Sequence, residues 1–340
     1  MKLCFLILII FLSACHLDIE SSKDYQKRLQ NILEVDIKFI DEIEPLTYPR
    51  KRLLYKQKPK IKNDISIREF LSLRECKLHL VIAQRNSLIG KVAPASQLLF
   101  NDLKILEHTP ECIEQLLKKN NEDMAQKLES YFESKKSDVV YSLWSAILGS
   151  SENASFWQVR PQPDNYPFAL NKESMPSIAA IIKFVEKIKQ ADYHFSEEET
   201  NEVEKHLNAI QSGDGGYLFT KLSALEKNLE LANQAIQQRI DKPLCFNARP
   251  IEKAKYFENV VNLYFIDKVQ IEAVHLTQRY QQLIPNYLKL ESSLTEGMPK
   301  AYKEWKKQRD QQFELSLNAS KKHVSQVQLL FKQCGLIPGR

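Results

Sequence analysis

Apolar positions along the chain recur at helical spacing. Leu218, Leu222, Leu225, Leu229, Ala232 and Ile236 follow alternating steps of four and three, which places them on one stripe of a helix. A second stripe runs through Trp305, Phe313, Leu317, Val324, Val327 and Phe331, with Ser320 in a small position; a third, bent at Pro285, is marked by Phe257, Val261, Tyr264, Ile271 and Val274. Gly297 and Pro299 stop one helix and start the next, so 252–295 and 300–333 are predicted to form a long antiparallel hairpin. The run Gly213-Asp214-Gly215-Gly216 separates a helix over 197–211 from one beginning near Tyr217, and Pro176 opens another over 177–190. Nearer the N-terminus, 66–91 reads as a single helix with Phe70, Val81, Leu88 and Ile89 on its apolar face, turning at Pro94 into a returning helix over 95–108.

Composition agrees with this pattern. Eight glycines in 340 residues, with long segments rich in Lys, Glu, Gln and Leu, favour helix on propensity alone. The stripes are too short and too interrupted for a rod, so the expected fold is an all-α, antiparallel helical bundle. Two stretches fall outside it: 45–64, which contains Pro49 and Pro59, and a connector over 151–176 with Pro161, Pro163, Pro167 and Pro176. The connector would divide a helical region over 15–150 from one over 177–340, though one continuous domain is equally compatible. With 48 basic and 43 acidic residues the net charge is +5, and 43% of residues are hydrophobic. That balance supports a large core and lacks the broad positive footprint of a nucleic-acid binder.

The first residues have a separate logic. Lys2 precedes an apolar run from Leu3 to Phe11, followed by Leu12-Ser13-Ala14-Cys15. The run is well short of the roughly 20 apolar residues needed to span a bilayer, and its order of basic, apolar and small residues reads as a cleaved signal over 1–14. Leu-Ser-Ala-Cys resembles the lipobox of bacterial lipoproteins, which implies that Cys15 becomes the first residue and carries the lipid. In such lipoproteins an Asp after the cysteine marks inner-membrane retention. His16 stands there instead, which implies placement on the periplasmic face of the outer membrane.

Four cysteines remain in the body: Cys76, Cys112, Cys245 and Cys334. An even number in an oxidising compartment points to two disulfides with three possible connectivities. Running out along one helix and back along the next returns the chain to the level of Cys76 near Cys112, so that pair is expected. Cys245 with Cys334 would then tie the start of the last hairpin to the chain's end. In the loop-entropy model the bridges contribute about 4 and about 4.5 kcal/mol.

Chemistry-bearing motifs are sparse. Seven positive residues lie between Arg50 and Lys62 (Arg50, Lys51, Arg52, Lys56, Lys58, Lys60 and Lys62), with no acid among them, a run suited to an anionic membrane surface or to a solvated loop. Arg85 and Asn86 fall within a helix, where Arg85 either pairs with Glu75 or another carboxylate, or binds a ligand. Trp144, Phe156, Trp157 and Tyr166 border the connector and suit either an interface or a core seam. No nucleophile elbow, P-loop or dinucleotide fingerprint is present, and the histidines show no metal-ligand spacing, so no catalytic, cofactor or metal residue is assigned. Acid groups such as Glu197-Glu198-Glu199 and Asp41-Glu42 with Glu44 keep a glycan-cleaving pair in view without locating one.

Tyr48-Pro49-Arg50 with Arg52-Leu53, Phe70-Leu71, Cys76, Leu78, Arg85-Asn86-Ser87, Gly90-Lys91, Pro94, Ser96 and Cys112 resemble a family of gammaproteobacterial lipoproteins known only as a domain of unknown function. The resemblance implies compartment and lineage and transfers no catalytic residue. The expected function is therefore that of a non-catalytic, outer-membrane-anchored binding or scaffold protein. It would contact an envelope protein, anionic lipid or cell-wall material through Arg50, Lys51, Arg52, Arg85, Asn86 and Trp157. The alternative is a peptidoglycan-directed hydrolase or its regulator.

Overall fold

The computed structural model describes residues 20–36, 46–54, 66–163, 166–167, 173–242, 244–246 and 249–335. Cys15 with its lipobox, the acids at 41–44 and Lys56, Lys58, Lys60 and Lys62 lie outside them. Thirteen α-helices occur among the described residues: α1 (Glu20–Leu33), α2 (Ile67–Ser72), α3 (Lys77–Asn86), α4 (Leu88–Val92), α5 (Ala95–Lys118), α6 (Glu122–Ala146), α7 (Ser151–Phe156), α8 (Ser174–Lys189), α9 (Glu197–Gln211), α10 (Gly215–Arg239), α11 (Glu252–Val260), α12 (Ile271–Ser293) and α13 (Lys300–Lys332). A π-helical stretch, Val261–Gln270, makes α11 and α12 continuous, and short 3-10 turns lie at Lys51–Leu53 and Thr295–Gly297. One two-residue antiparallel strand pair, β1 (Cys245–Phe246) with β2 (Arg249–Pro250), completes the fold. The chain is an all-α bundle braced by two disulfides, Cys76–Cys112 and Cys245–Cys334.

The C-terminal hairpin forms the spine. Phe257 meets Phe331, Phe265 meets His323, Tyr280 meets Phe313 and Tyr287 meets Tyr302, a descending order that makes α11–α12 and α13 antiparallel along their length. α10 packs along α13, and the predicted stripe from Leu218 to Ile236 is buried throughout. The third stripe shifts. Ile271 and Val274 are half exposed, while Val269, Ala273 and Leu276 are buried. The buried series is Phe257, Val261, Phe265, Val269, Ala273, four steps of four. Such a series drifts around a helix of 3.6 residues per turn, and the wider π turns keep it on one face.

The N-terminal helices also differ from the single outgoing helix expected over 66–91. Ser66 and Glu69 form a capping box that starts α2, and Ser87 caps α4 by accepting from the Gly90 N–H at 3.0 Å, so the segment is three short helices. Leu88 and Ile89 lie not on a core face but in solvent, 87% and 82% exposed. The returning helix does not stop at His108: α5 continues through Pro110, which sits on its solvent side, and holds Cys112 inside the helix. The Cys76–Cys112 bridge staples a small apolar cluster between α3, α5 and the start of α6, including Leu78, Ile82, Ile105 and Leu128. A larger core includes Leu103, Trp144, Phe156, Ile181, Leu229 and Phe257.

The connector region is fixed by close approach. A Cβ on Gly213 or Gly215 would stand 2.5 Å or 2.2 Å from the Phe156 ring, so glycine is what lets α7 lie against the start of α10. Beside it, the Asp214 carboxylate accepts from Arg279 Nε at 2.9 Å and Nη2 at 2.5 Å and from the Tyr166 hydroxyl at 2.9 Å.

Polar side chains complete the seam of α13. Arg309, Ser316 and His323 share its buried face with Trp305, Phe313 and Val327. Arg309 Nη1 and Nη2 donate to the two Glu291 oxygens at 2.7 and 2.8 Å, and neither side chain is solvent-exposed. The guanidinium also lies 4.8 Å from the Trp157 ring centroid and 5.0 Å from that of Trp305.

His323 Nδ1 is 2.7 Å from Asn233 Oδ1, and Nε2 is 2.7 Å from the Tyr25 hydroxyl. Since an amide oxygen only accepts, Nδ1 carries the proton and Nε2 accepts from Tyr25. Burial pushes this imidazole down from 6.5 to about 3. Below pH 6.5 the unfolded chain binds a proton that the folded one rejects. Stability should therefore fall by about 1 kcal/mol per pH unit as pH drops from 6.5 toward 3. In urea denaturation, the His323→Gln chain is expected to lose about 2 kcal/mol less than wild type between roughly pH 7 and pH 5.

Candidate binding cleft

Two of the residues singled out by sequence, Lys51 and Arg85, meet at a cleft of about 610 Å3 between the 3-10 turn, α3, α5 and α6. Its walls include Val92, Pro94, Asp102, Tyr141, Ser142 and Glu152. The Trp144 indole donates to the Leu54 carbonyl at 3.0 Å and so anchors the turn that carries Lys51. Tyr48 ties down the preceding residues: its hydroxyl donates to the Leu148 carbonyl at 2.8 Å and accepts from Asn153 Nδ2 at 2.8 Å.

Asp102 organises the cleft floor. This buried carboxylate accepts from Lys135 Nζ at 3.0 Å and from the Ser142 hydroxyl at 2.8 Å, and lies 3.7 Å from Arg85 Nε. Arg85 thus pairs with Asp102, whereas Glu75 pairs with Lys119 at the surface. Burial disfavours the Lys135 ammonium most strongly, but the Asp102 charge, the nearby Tyr131 and the hydrogen bond to Asp102 together outweigh it and raise the pKa above the ordinary value. One carboxylate therefore stands between two cations, and the charged residues that line the cleft, Lys51 and Arg85 against Asp102 and Glu152, balance. Asp102→Ala should destabilise the fold by about 3 kcal/mol in urea, because Arg85 and Lys135 lose a partner that is shielded from water. An Asp102→Asn chain, which keeps the hydrogen bond from Ser142, should lose less.

The other predicted residues distribute differently. Arg50 and Arg52 are exposed on either side of Lys51, and Asn86 is exposed at the end of α3. Trp157 is almost wholly interior. It is 6% exposed, and its indole donates to the Tyr287 hydroxyl at 2.9 Å, which in turn donates to Asn153 at 2.6 Å. Its neighbours Trp144 and Phe156 are likewise interior. Sequence reading missed Asp102, Lys135 and Ser142. A lone acid between Phe100-Asn101 and Leu103 in an apolar helix was the available signal.

A second, larger cleft of about 920 Å3 lies between α1, α10, the π-helical stretch, α12 and the connector. Lys23, Lys27, Lys221 and Lys268 face Asp24, Asp267 and Glu272 across it, so its charge is mixed. Among the described residues no group of three or more His, Cys, Asp and Glu side chains could hold a metal ion, and no helix is long and apolar enough to cross a membrane.

Fold and cleft together define a disulfide-braced, all-α protein with a surface cleft in which basic and acidic side chains meet. The chain belongs to the family described as "Protein of unknown function (DUF3080)", whose model matches residues 22–338. No curated protein and no solved structure matches it.

Proposed function

We propose that the protein is an exported lipoprotein of a Gram-negative envelope, held through acylated Cys15 on the periplasmic face of the outer membrane and acting there as a non-catalytic binding or scaffold protein. The observation that carries this reading is the pair of disulfides. Bridges of this kind persist in the periplasm and are reduced in a mesophilic cytosol, and they accompany a lipobox in the same chain. A single acyl chain would hold the protein only loosely, whereas the several chains of a lipidated cysteine make release negligible. Beside the cleft, the exposed side chains of Arg50, Lys51 and Arg52 suit an acidic group on an envelope protein or on cell-wall material.

Density-gradient fractionation tests the placement. Wild type should co-sediment with outer membrane and require detergent rather than salt for release, and Cys15→Ser should abolish that pattern. Recovery of wild type in the soluble cytosol would refute the reading.

A further inference from the structure

The motif Arg85-Asn86-Ser87-Leu88-Ile89-Gly90-Lys91 has a second feature that the cleft does not use. Ser87 ends α3 and caps α4, donating to the Gln84 carbonyl at 2.8 Å while accepting from Gly90. Gly90 is turned inward, and a Cβ there would stand 2.2 Å from the Gln84 carbonyl oxygen and 2.7 Å from that of Arg85. The tight turn thus depends on glycine, and it presents Leu88, Ile89 and Val92 to solvent at 87%, 82% and 83% exposure. Val92 lines the same cleft as Lys51, so this aliphatic knob and the basic 3-10 turn are neighbours. Leu53 on that turn is also half exposed.

Charge is concentrated in the same part of the sequence. Between Arg50 and Val92 there are twelve Lys and Arg against three Asp and Glu, a net +9, so the rest of the chain carries −4 against the total of +5. A convex group of aliphatics set among lysines and arginines matches the boundary between anionic headgroups and acyl chains. Leu, Ile and Val offer no π face for stacking nucleic-acid bases.

The direction of α1 agrees, on the reading that Cys15 carries the lipid. Ser22 bonds Asn228, and Glu34 lies near Arg239, so α1 runs parallel to α10 and its first residue points toward the end of the bundle where α10 begins. That end also holds Trp157 and Trp305, and Tyr48, just before the 3-10 turn, packs on Trp305. Five residue steps lead from Cys15 to Glu20 and reach at most about 18 Å, close to the rise of about 20 Å from Asn228 back to Gly215.

We propose that α4 and the adjoining 3-10 turn form a membrane-docking device, in which Leu88, Ile89 and Val92 enter an anionic phospholipid surface while Arg50, Lys51, Arg52 and Lys91 engage its phosphates. The bundle would then lie against the bilayer with the cleft beside Lys51 at the headgroup level.

The three native tryptophans are at most 6% exposed, so an indole introduced by Ile89→Trp is the one that reports on solvent. The full chain carrying this change is reconstituted with vesicles of phosphatidylcholine alone, or of equal parts phosphatidylcholine and phosphatidylglycerol, with and without brominated acyl chains. With phosphatidylglycerol present, the introduced indole should shift to the blue, escape acrylamide and be quenched by bromine. Adding Lys51→Glu, Arg52→Glu and Lys91→Glu, all exposed positions, should reverse this without loss of helicity. The proposal is overturned if the indole stays in water with both vesicles, or enters both equally. It is also overturned if shielding appears without lipid as protein concentration rises, or only on adding envelope proteins. Acylation of Cys15 is read separately by mass, so failure of the anchor and failure of the docking face are distinct results.

Discussion

Replacing Glu291 by Leu should destabilise the protein by about 3 to 5 kcal/mol, among the largest effects of any single substitution. Both members of the Glu291–Arg309 pair are fully buried, and the two hydrogen bonds between them run in parallel at 2.7 and 2.8 Å. Tyr302 donates to the same carboxylate at 2.6 Å, and Lys306 lies 3.2 Å from its other oxygen. Removing the carboxylate leaves the guanidinium with Asp310 and the faces of Trp157 and Trp305, in a place where water cannot compensate. The loss is mostly the penalty of an unbalanced charge. The double change Glu291→Leu with Arg309→Met should therefore recover much of the stability, with urea denaturation of wild type, single and double variants as the measurement. If the double variant is no more stable than the single ones, the pair is favourable in itself and this explanation fails.

The second large effect concerns the bridge that closes the spine. Cys245 starts β1 and Cys334 follows α13, 89 residues later. Constraining a loop of that length lowers the entropy of the unfolded chain enough that Cys245→Ser with Cys334→Ser should cost about 4.5 kcal/mol. Urea unfolding of the oxidised wild type against the double variant measures this, and a difference below about 1 kcal/mol would show that the unfolded chain is already restricted there. The other bridge spans 36 residues and supports the smaller cluster. Its removal should open α3 first, seen as faster amide exchange at Leu78 to Ile82 than in the main core.

What the sequence revealed was set by whether a position is apolar. The α10 stripe was legible because all six of its members are hydrophobic, and the 297–299 break because glycine and proline mark it. The α13 seam was only half legible. Arg309, Ser316 and His323 occupy core positions, and their polarity hides them from any hydrophobic pattern; the partners Glu291 and Asn233 lie 18 and 90 residues away. In α11–α12 the signal existed but ran at the wrong period. Five apolar residues at steps of four, from Phe257 to Ala273, call for wider turns than an α-helix, whereas a search at 3.6 selects Tyr264, Ile271 and Val274. At the cleft, Lys51 and Arg85 stood out as charges, but which acid receives Arg85 depends on how α3 crosses α5. That crossing follows from the breaks at Cys76 and Ser87, which a continuous helix over 66–91 would not contain.

The proposed exported chain carries lipid on Cys15 and has bridges between Cys76, Cys112, Cys245 and Cys334. Intact mass of the protein purified from its native membranes, before and after alkylation without reductant, tests it most directly. The expected polypeptide starts at Cys15, carries the added mass of a diacylglyceryl group and an amide-linked acyl chain, and takes up no alkylating reagent. A polypeptide that still begins at Met1, with no acyl mass and with free thiols at Cys76, Cys112, Cys245 and Cys334, would contradict it.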